Sequence, residues 1–74
     1  MELTRPSGRG HPSYKVWNEW SNLVNANMGL ITTNDDLDSI CDKLYDLLIH
    51  SKLRYISGDS VIRTAVQIFD KMSI

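Results

Sequence analysis

Asp35-Asp36-Leu37-Asp38-Ser39-Ile40-Cys41-Asp42-Lys43-Leu44-Tyr45-Asp46-Leu47-Leu48-Ile49-His50-Ser51 is the stretch that decides the fold. Leu37, Ile40, Cys41, Leu44, Leu47 and Leu48 recur at steps of three and four, the period of one face of an α-helix. Asp35, Asp36 and Asp38 crowd its beginning, where carboxylates meet the positive end of the helix dipole. Thr33 with Asp36 three residues on resembles a capping box with Asp in place of Glu, and Asn34 is an alternative cap. The spacing predicts a helix over about 35–51.

Upstream, Val16, Trp17, Trp20, Leu23, Val24 and Met28 repeat the same period, and Pro12-Ser13 suits a helix entrance. A first helix is expected over about 13–28. Gly29 would close it as the C′ residue, with Leu30 folding back on Val24. Asn22, Asn25 and Asn27 weaken its last turns, because Asn favours local backbone bonding over helix. Downstream, Leu53, Tyr55 and Ile56 alternate with Arg54, but one such segment has no strand to pair with, so a turn or short 3₁₀ piece is expected. Ser57-Gly58-Asp59-Ser60 is a turn and cap cluster. It opens a third helix over about 59–72, with a wide apolar face of Val61, Ile62, Ala65, Val66, Ile68, Phe69 and Met72 and with Lys71 near its negative end.

Three amphipathic helices on short links bury their stripes only against one another. The fold class is therefore all-α: a small bundle of three main helices with short linking turns. Trp17, Trp20, Phe69 and the Leu37–Leu48 stripe are expected at its centre. Residues 1–12, with two Gly, two Pro and two Arg, read as a flexible N-terminal leader to a single helical domain over 13–74.

A chain of 74 residues holds one core and little room for a deep cleft. Its net charge of −1 argues against a dedicated nucleic-acid binder while leaving room for a local basic patch. Cys41 is the only cysteine, so no internal disulfide forms and the fold rests on packing, which suits a reducing compartment such as the cytoplasm. No run approaches the length of a membrane span.

Candidate chemistry is sparse. His11 in the leader and His50 at the end of the second helix have no Cys, His or carboxylate at a metal-ligand spacing. They read as a solvated loop residue and a residue complementing the dipole, and neither a metal nor a cofactor is expected. Gly8-Arg9-Gly10 lacks the strand-to-helix context of a phosphate loop. Cys41 lies on the apolar stripe and reads as an inert buried thiol. Asp38, Asp42 and Asp46 fall at i, i+4 and i+8, a solvated acidic face or a docking surface for a basic partner. No catalytic set is visible, and an enzyme is the least expected class. Lys52, Arg54 and Tyr55 in the second link and Arg63 early in the third helix are the candidate partner-binding residues, provided the link folds back to bring them to one end of the bundle.

Tyr55-Ile56-Ser57-Gly58-Asp59, followed by a helix, resembles the corresponding stretch in the C-terminal domain of rhabdovirus phosphoproteins. The resemblance covers about the last third of the chain, and the Trp-rich first helix has no counterpart in it. It implies a small helical domain, preceded by disordered linker, that tethers the viral polymerase to the nucleoprotein–RNA complex in the cytoplasm of an infected cell. Lys52, Arg54 and Arg63 would then contact the acidic nucleoprotein surface. The expected function is non-enzymatic binding of another protein, with no small-molecule substrate and no membrane. The alternatives are a small helical regulator that puts Arg63, Gln67 and Lys71 of the third helix on nucleic acid, and a viral or phage inhibitor that uses the acidic second helix.

Overall fold

Each helix begins where a short polar side chain catches the free backbone N–H groups of the first turn. The computed structural model describes residues 1–72, so residues 73 and 74 of the expected domain lie outside the described residues. Ser13 accepts from Val16 N and opens α1, Tyr14–Ala26. Asp36 accepts from Ser39 N at 2.8 Å and opens α2, Leu37–His50. Ser57 Oγ accepts from Ser60 N at 3.2 Å and opens α3, Gly58–Met72. Among the described residues there is no strand, and the all-α class of three helices with short links holds.

The ends differ from expectation for local reasons. Neither Thr33 nor Asn34 caps α2; Asp36 does, two residues later than the expected start. Asp35 is held outside the helix, where its carboxylate accepts from Thr32 N at 2.8 Å and pairs with Lys43 at 2.8 Å. α1 ends at Ala26 rather than Met28, because Asn25 and Asn27 turn their side-chain amides onto the carbonyls of Ser21 and Leu23. Asn27, not Gly29, then closes the helix, and Gly29 lies within a 3₁₀ turn at Met28–Leu30. This turn carries Leu30 outward, 55% exposed, and puts Ile31 into the core instead. The link between α2 and α3 forms neither a strand nor a 3₁₀ turn.

The core is built from Trp17, Trp20 and Val24 of α1, Ile40 and Leu44 of α2, and Val61, Ala65 and Ile68 of α3, closed by Ile31 and Leu3. α2 and α3 make the most extensive helix contact, and α1 packs beside them. Both Trp side chains are buried. Phe69, Leu37, Leu47 and Leu48 are only partly buried and lie at the edge of the core rather than at its centre. Trp20 Nε1 donates to Thr64 Oγ1 at 3.0 Å and Thr64 Oγ1 donates to the Ser60 carbonyl at 2.8 Å, so the one polar group of this large ring is satisfied by α3 across the core.

Residues 1–12 carry no helix or strand, in keeping with a leader, yet they lie against the bundle. Lys71 donates to the Glu2 carbonyl, Gln67 bonds both main-chain groups of Thr4, and His11 bonds Ser60. The segment therefore runs antiparallel to α3, from its last turn to its first.

Candidate functional site

The α2–α3 link is anchored at two apolar points. Ser51 Oγ donates to the Leu48 carbonyl and accepts from Leu53 N, which turns the chain at the end of α2. Leu53 and Ile56 then pack against the core, partly buried. The residues between them, Arg54 and Tyr55, are thrown outward, and Lys52 before them is exposed as well. Tyr55 is 85% exposed. Its φ of 68° makes it the one described residue other than glycine with a left-handed backbone. A bulky side chain in that region costs about 1–2 kcal/mol. Lys52, Arg54 and Tyr55 side chains have no hydrogen-bond or ionic partner among the described residues.

Arg63 is exposed on the first turns of α3, with its Nε 3.8 Å from Asp59 Oδ2. That carboxylate also lies 3.4 Å from His11 Nε2. Arg63 is thus partly engaged, while the side chains of the three link residues have no partner among the described residues.

His11 was expected in solvent; its side chain is instead 6% exposed. Nδ1 shares a hydrogen bond of 2.9 Å with Ser60 Oγ, and Ser60 Oγ shares another of 3.0 Å with Ser57 Oγ. Ser60, His11 and Asp59 form a chain of the residue types used in nucleophilic catalysis. Ser60 is fully buried at the start of α3, however, and its hydroxyl is enclosed by His11 and Ser57. The chain acts as a clasp between leader and helix. Sequence spacing gave no sign of it, because His11 and Ser60 are 49 residues apart.

The acidic face of α2 is as expected: Asp38, Asp42 and Asp46 are all exposed, and none has an ionic partner among the described residues. Cys41 lies beside them, partly buried. Burial first, and then the neighbouring Asp38 and Asp42 carboxylates, push its thiol above the usual cysteine range, away from a reactive thiolate. His50 is exposed at the end of α2. Of the three α3 residues that a nucleic-acid reading would use, Gln67 and Lys71 are occupied by the leader, which leaves Arg63. Among the described residues no ligand-sized cavity is found and no three His, Cys, Asp or Glu side chains gather to hold a metal. Among the described residues no helix is long and apolar enough to cross a membrane.

Compared with protein-family models, with curated proteins and with solved structures, the chain gives no match. In Tyr55–Asp59 most residues have a structural role at the helix start. Ile56 anchors the link, Ser57 caps α3, and Gly58 leaves room for the Tyr45 hydroxyl, which would lie 2.8 Å from an added Cβ. Tyr55 is the residue of the stretch that packing does not explain.

Proposed function

We propose that this chain is a non-enzymatic binding domain that engages an acidic macromolecule through the α2–α3 link, with Lys52 and Arg54 as its cations, Tyr55 as its aromatic anchor and Arg63 as a flanking cation. The observation that carries the reading is Tyr55: 85% exposed, held at a φ of 68°, and flanked by two unpaired cations. Backbone strain persists where surrounding structure imposes it, and such strain gathers at ligand-contacting sites. Tyrosine and arginine are also the side chains enriched among residues that dominate binding energy. A phosphoprotein-type tether, docking on the acidic surface of a nucleoprotein–RNA complex in the cytoplasm of an infected cell, is the specific form that the Tyr55–Asp59 resemblance suggests.

The test is binding to immobilised polyglutamate, with RNA as a parallel arm. Wild type should bind the acidic polymer in a salt-sensitive way. Replacing Lys52, Arg54 and Arg63 with Glu should reduce that binding at least tenfold while the far-UV circular dichroism stays helical. Unchanged binding by the folded triple variant refutes the reading, and binding to RNA alone would move it to the nucleic-acid class.

A second reading rests on the exposed, unpaired Asp38, Asp42 and Asp46. It makes α2 the docking face for a basic partner. Polylysine binding that is lost on replacing these three with Lys, and kept in the Lys52, Arg54 and Arg63 variant, would favour it.

A further inference from the structure

Three side chains of α1 and α3 hold the main chain of residues 2–4. Lys71 Nζ donates to the Glu2 carbonyl at 2.7 Å. Trp17 Nε1 donates to the Leu3 carbonyl at 3.3 Å. The Gln67 amide takes both main-chain groups of Thr4, accepting from its N–H at 2.8 Å and donating to its carbonyl at 2.7 Å. Gln67 thus acts as one rung of a β-ladder, satisfying a donor and an acceptor of an extended chain at once. All these bonds go to backbone, so they hold any extended segment. Selection falls to the side chain of Leu3, a residue 8% exposed and part of the core cluster.

The segment that fills the groove is tethered by a turn suited to reopening. Gly8 and Gly10 have φ of 110° and 85°, and space for a Cβ is open at both, so backbone conformation alone calls for glycine there. Across this turn, Arg5 Nε donates to the Pro12 carbonyl at 2.6 Å and its guanidinium lies 4.7 Å from the centre of the Tyr14 ring. Residues 7–10 of the covalent path between occupant and groove are exposed and include two glycines, while His11 and Pro12 stay against the bundle.

We propose that the groove between Trp17 of α1 and Gln67 and Lys71 of α3 is a main-chain-reading peptide site, filled in each chain by its own residues 2–4, and that it accepts the same segment from a second copy of this chain. The structure supplies that occupant directly, because the sequence that fits is the sequence seated there. Exchange keeps the contacts of residues 2–4 and re-routes the chain at residues 7–10, which carry none of the side-chain contacts to the bundle, the condition under which identical chains swap elements. At low concentration the tether favours self-occupancy; the second copy competes when its concentration reaches about 1 mM, the effective concentration that a short tether supplies.

The test uses the full chain. Leu3→Ala weakens self-occupancy, and the nuclear magnetic resonance of the Trp17 indole N–H reports on the bond to the residue 3 carbonyl. A peptide copying residues 1–6 should return that resonance to its wild-type position in a saturable way. A Leu3→Ala, Gln67→Ala double variant should bind the peptide at least tenfold more weakly. Should Leu3→Ala not fold, the titration is run on Thr4→Pro, which removes the N–H that Gln67 accepts and keeps Leu3. A second arm mixes Leu3→Ala chains with Gln67→Ala chains, one with a weak segment and one with a weak groove. Sedimentation of the mixture should reveal a one-to-one complex that neither forms alone. An unmoved indole resonance at about 1 mM peptide overturns the groove as an intermolecular site. So does an equal response with Gln67→Ala. Peptide binding with no association of the mixed chains overturns exchange between copies.

Discussion

Tyr55 and Thr64 mark opposite uses of a polar side chain, one turned out of the fold at a conformational cost, the other buried to complete it. Glycine adopts the Tyr55 backbone without the side-chain clash, so Tyr55→Gly should leave the fold as stable or raise its stability by up to about 1 kcal/mol. The same change should weaken capture of the acidic polymer. Urea unfolding and the polyglutamate assay, run on one preparation, check both halves, and loss of stability together with capture would make Tyr55 a structural residue. Thr64 accepts from Trp20 and donates to Ser60 within the core. Thr64→Val keeps the shape and orphans a buried indole N–H, so it should cost about 1–3 kcal/mol. A shift of the urea midpoint at constant slope would register it.

The three stripes of α1, α2 and α3 were readable because each repeats at the helical period, and period is what a sequence records best. The ends were readable only in part. The competition at the start of α2 among Thr33, Asn34 and Asp36 turns on which oxygen reaches an N–H, and Lys43 decides it by drawing Asp35 into the preceding turn. Leu30 and Ile31 are adjacent and both apolar, and which of them enters the core depends on a 3₁₀ turn that their own side chains do not encode. The link residues Lys52, Arg54 and Tyr55 were evident as candidates from charge and aromaticity. The strain at Tyr55 was not, since nothing in its identity calls for a left-handed backbone.

The opening of α2 is also where acid should act first. The Lys43 ammonium, ahead of the Thr32 N–H, holds Asp35 below the usual carboxylate range, and the Ser39 backbone N–H holds Asp36 below it. Both pKa values are depressed in the folded state. Their contribution to stability is therefore present above the unfolded-state value near pH 3.8 and is lost as pH falls through the lower folded values. Acidification below about pH 4 should fray the first turn of α2, seen as a loss of amide exchange protection, relative to the intrinsic rate at each pH, at Ser39 and Ile40. Asp36→Asn should flatten that dependence, and protection factors indifferent to pH in the wild type would contradict the assignment.

At the scale of the whole molecule, the bundle is closed by a residue outside its helices. A domain of 74 residues has a stability of roughly 4–11 kcal/mol. Leu3→Ala should remove about 2–4 kcal/mol of it, a larger share than truncation of any exposed helix residue. Thermal unfolding followed by circular dichroism would measure the loss. A change within about 0.5 kcal/mol would mean that residues 1–12 contribute little to the fold. That dependence escaped a reading by composition, which saw Gly, Pro and Arg in residues 1–12 and a single Leu among them. One buried side chain and a few backbone bonds suffice to seat a segment that has no pattern of its own.

Glu2 and Thr4 are joined to positions 69 and 63 residues further along the chain. On the ribosome residues 2–4 are made before Gln67 and Lys71, so these contacts cannot form until α3 has followed. The final docking step must wait until the last helix has left the exit tunnel. A nascent chain halted before α3 would present Leu3 and Trp17 uncovered, as an adhesive end available to molecular chaperones.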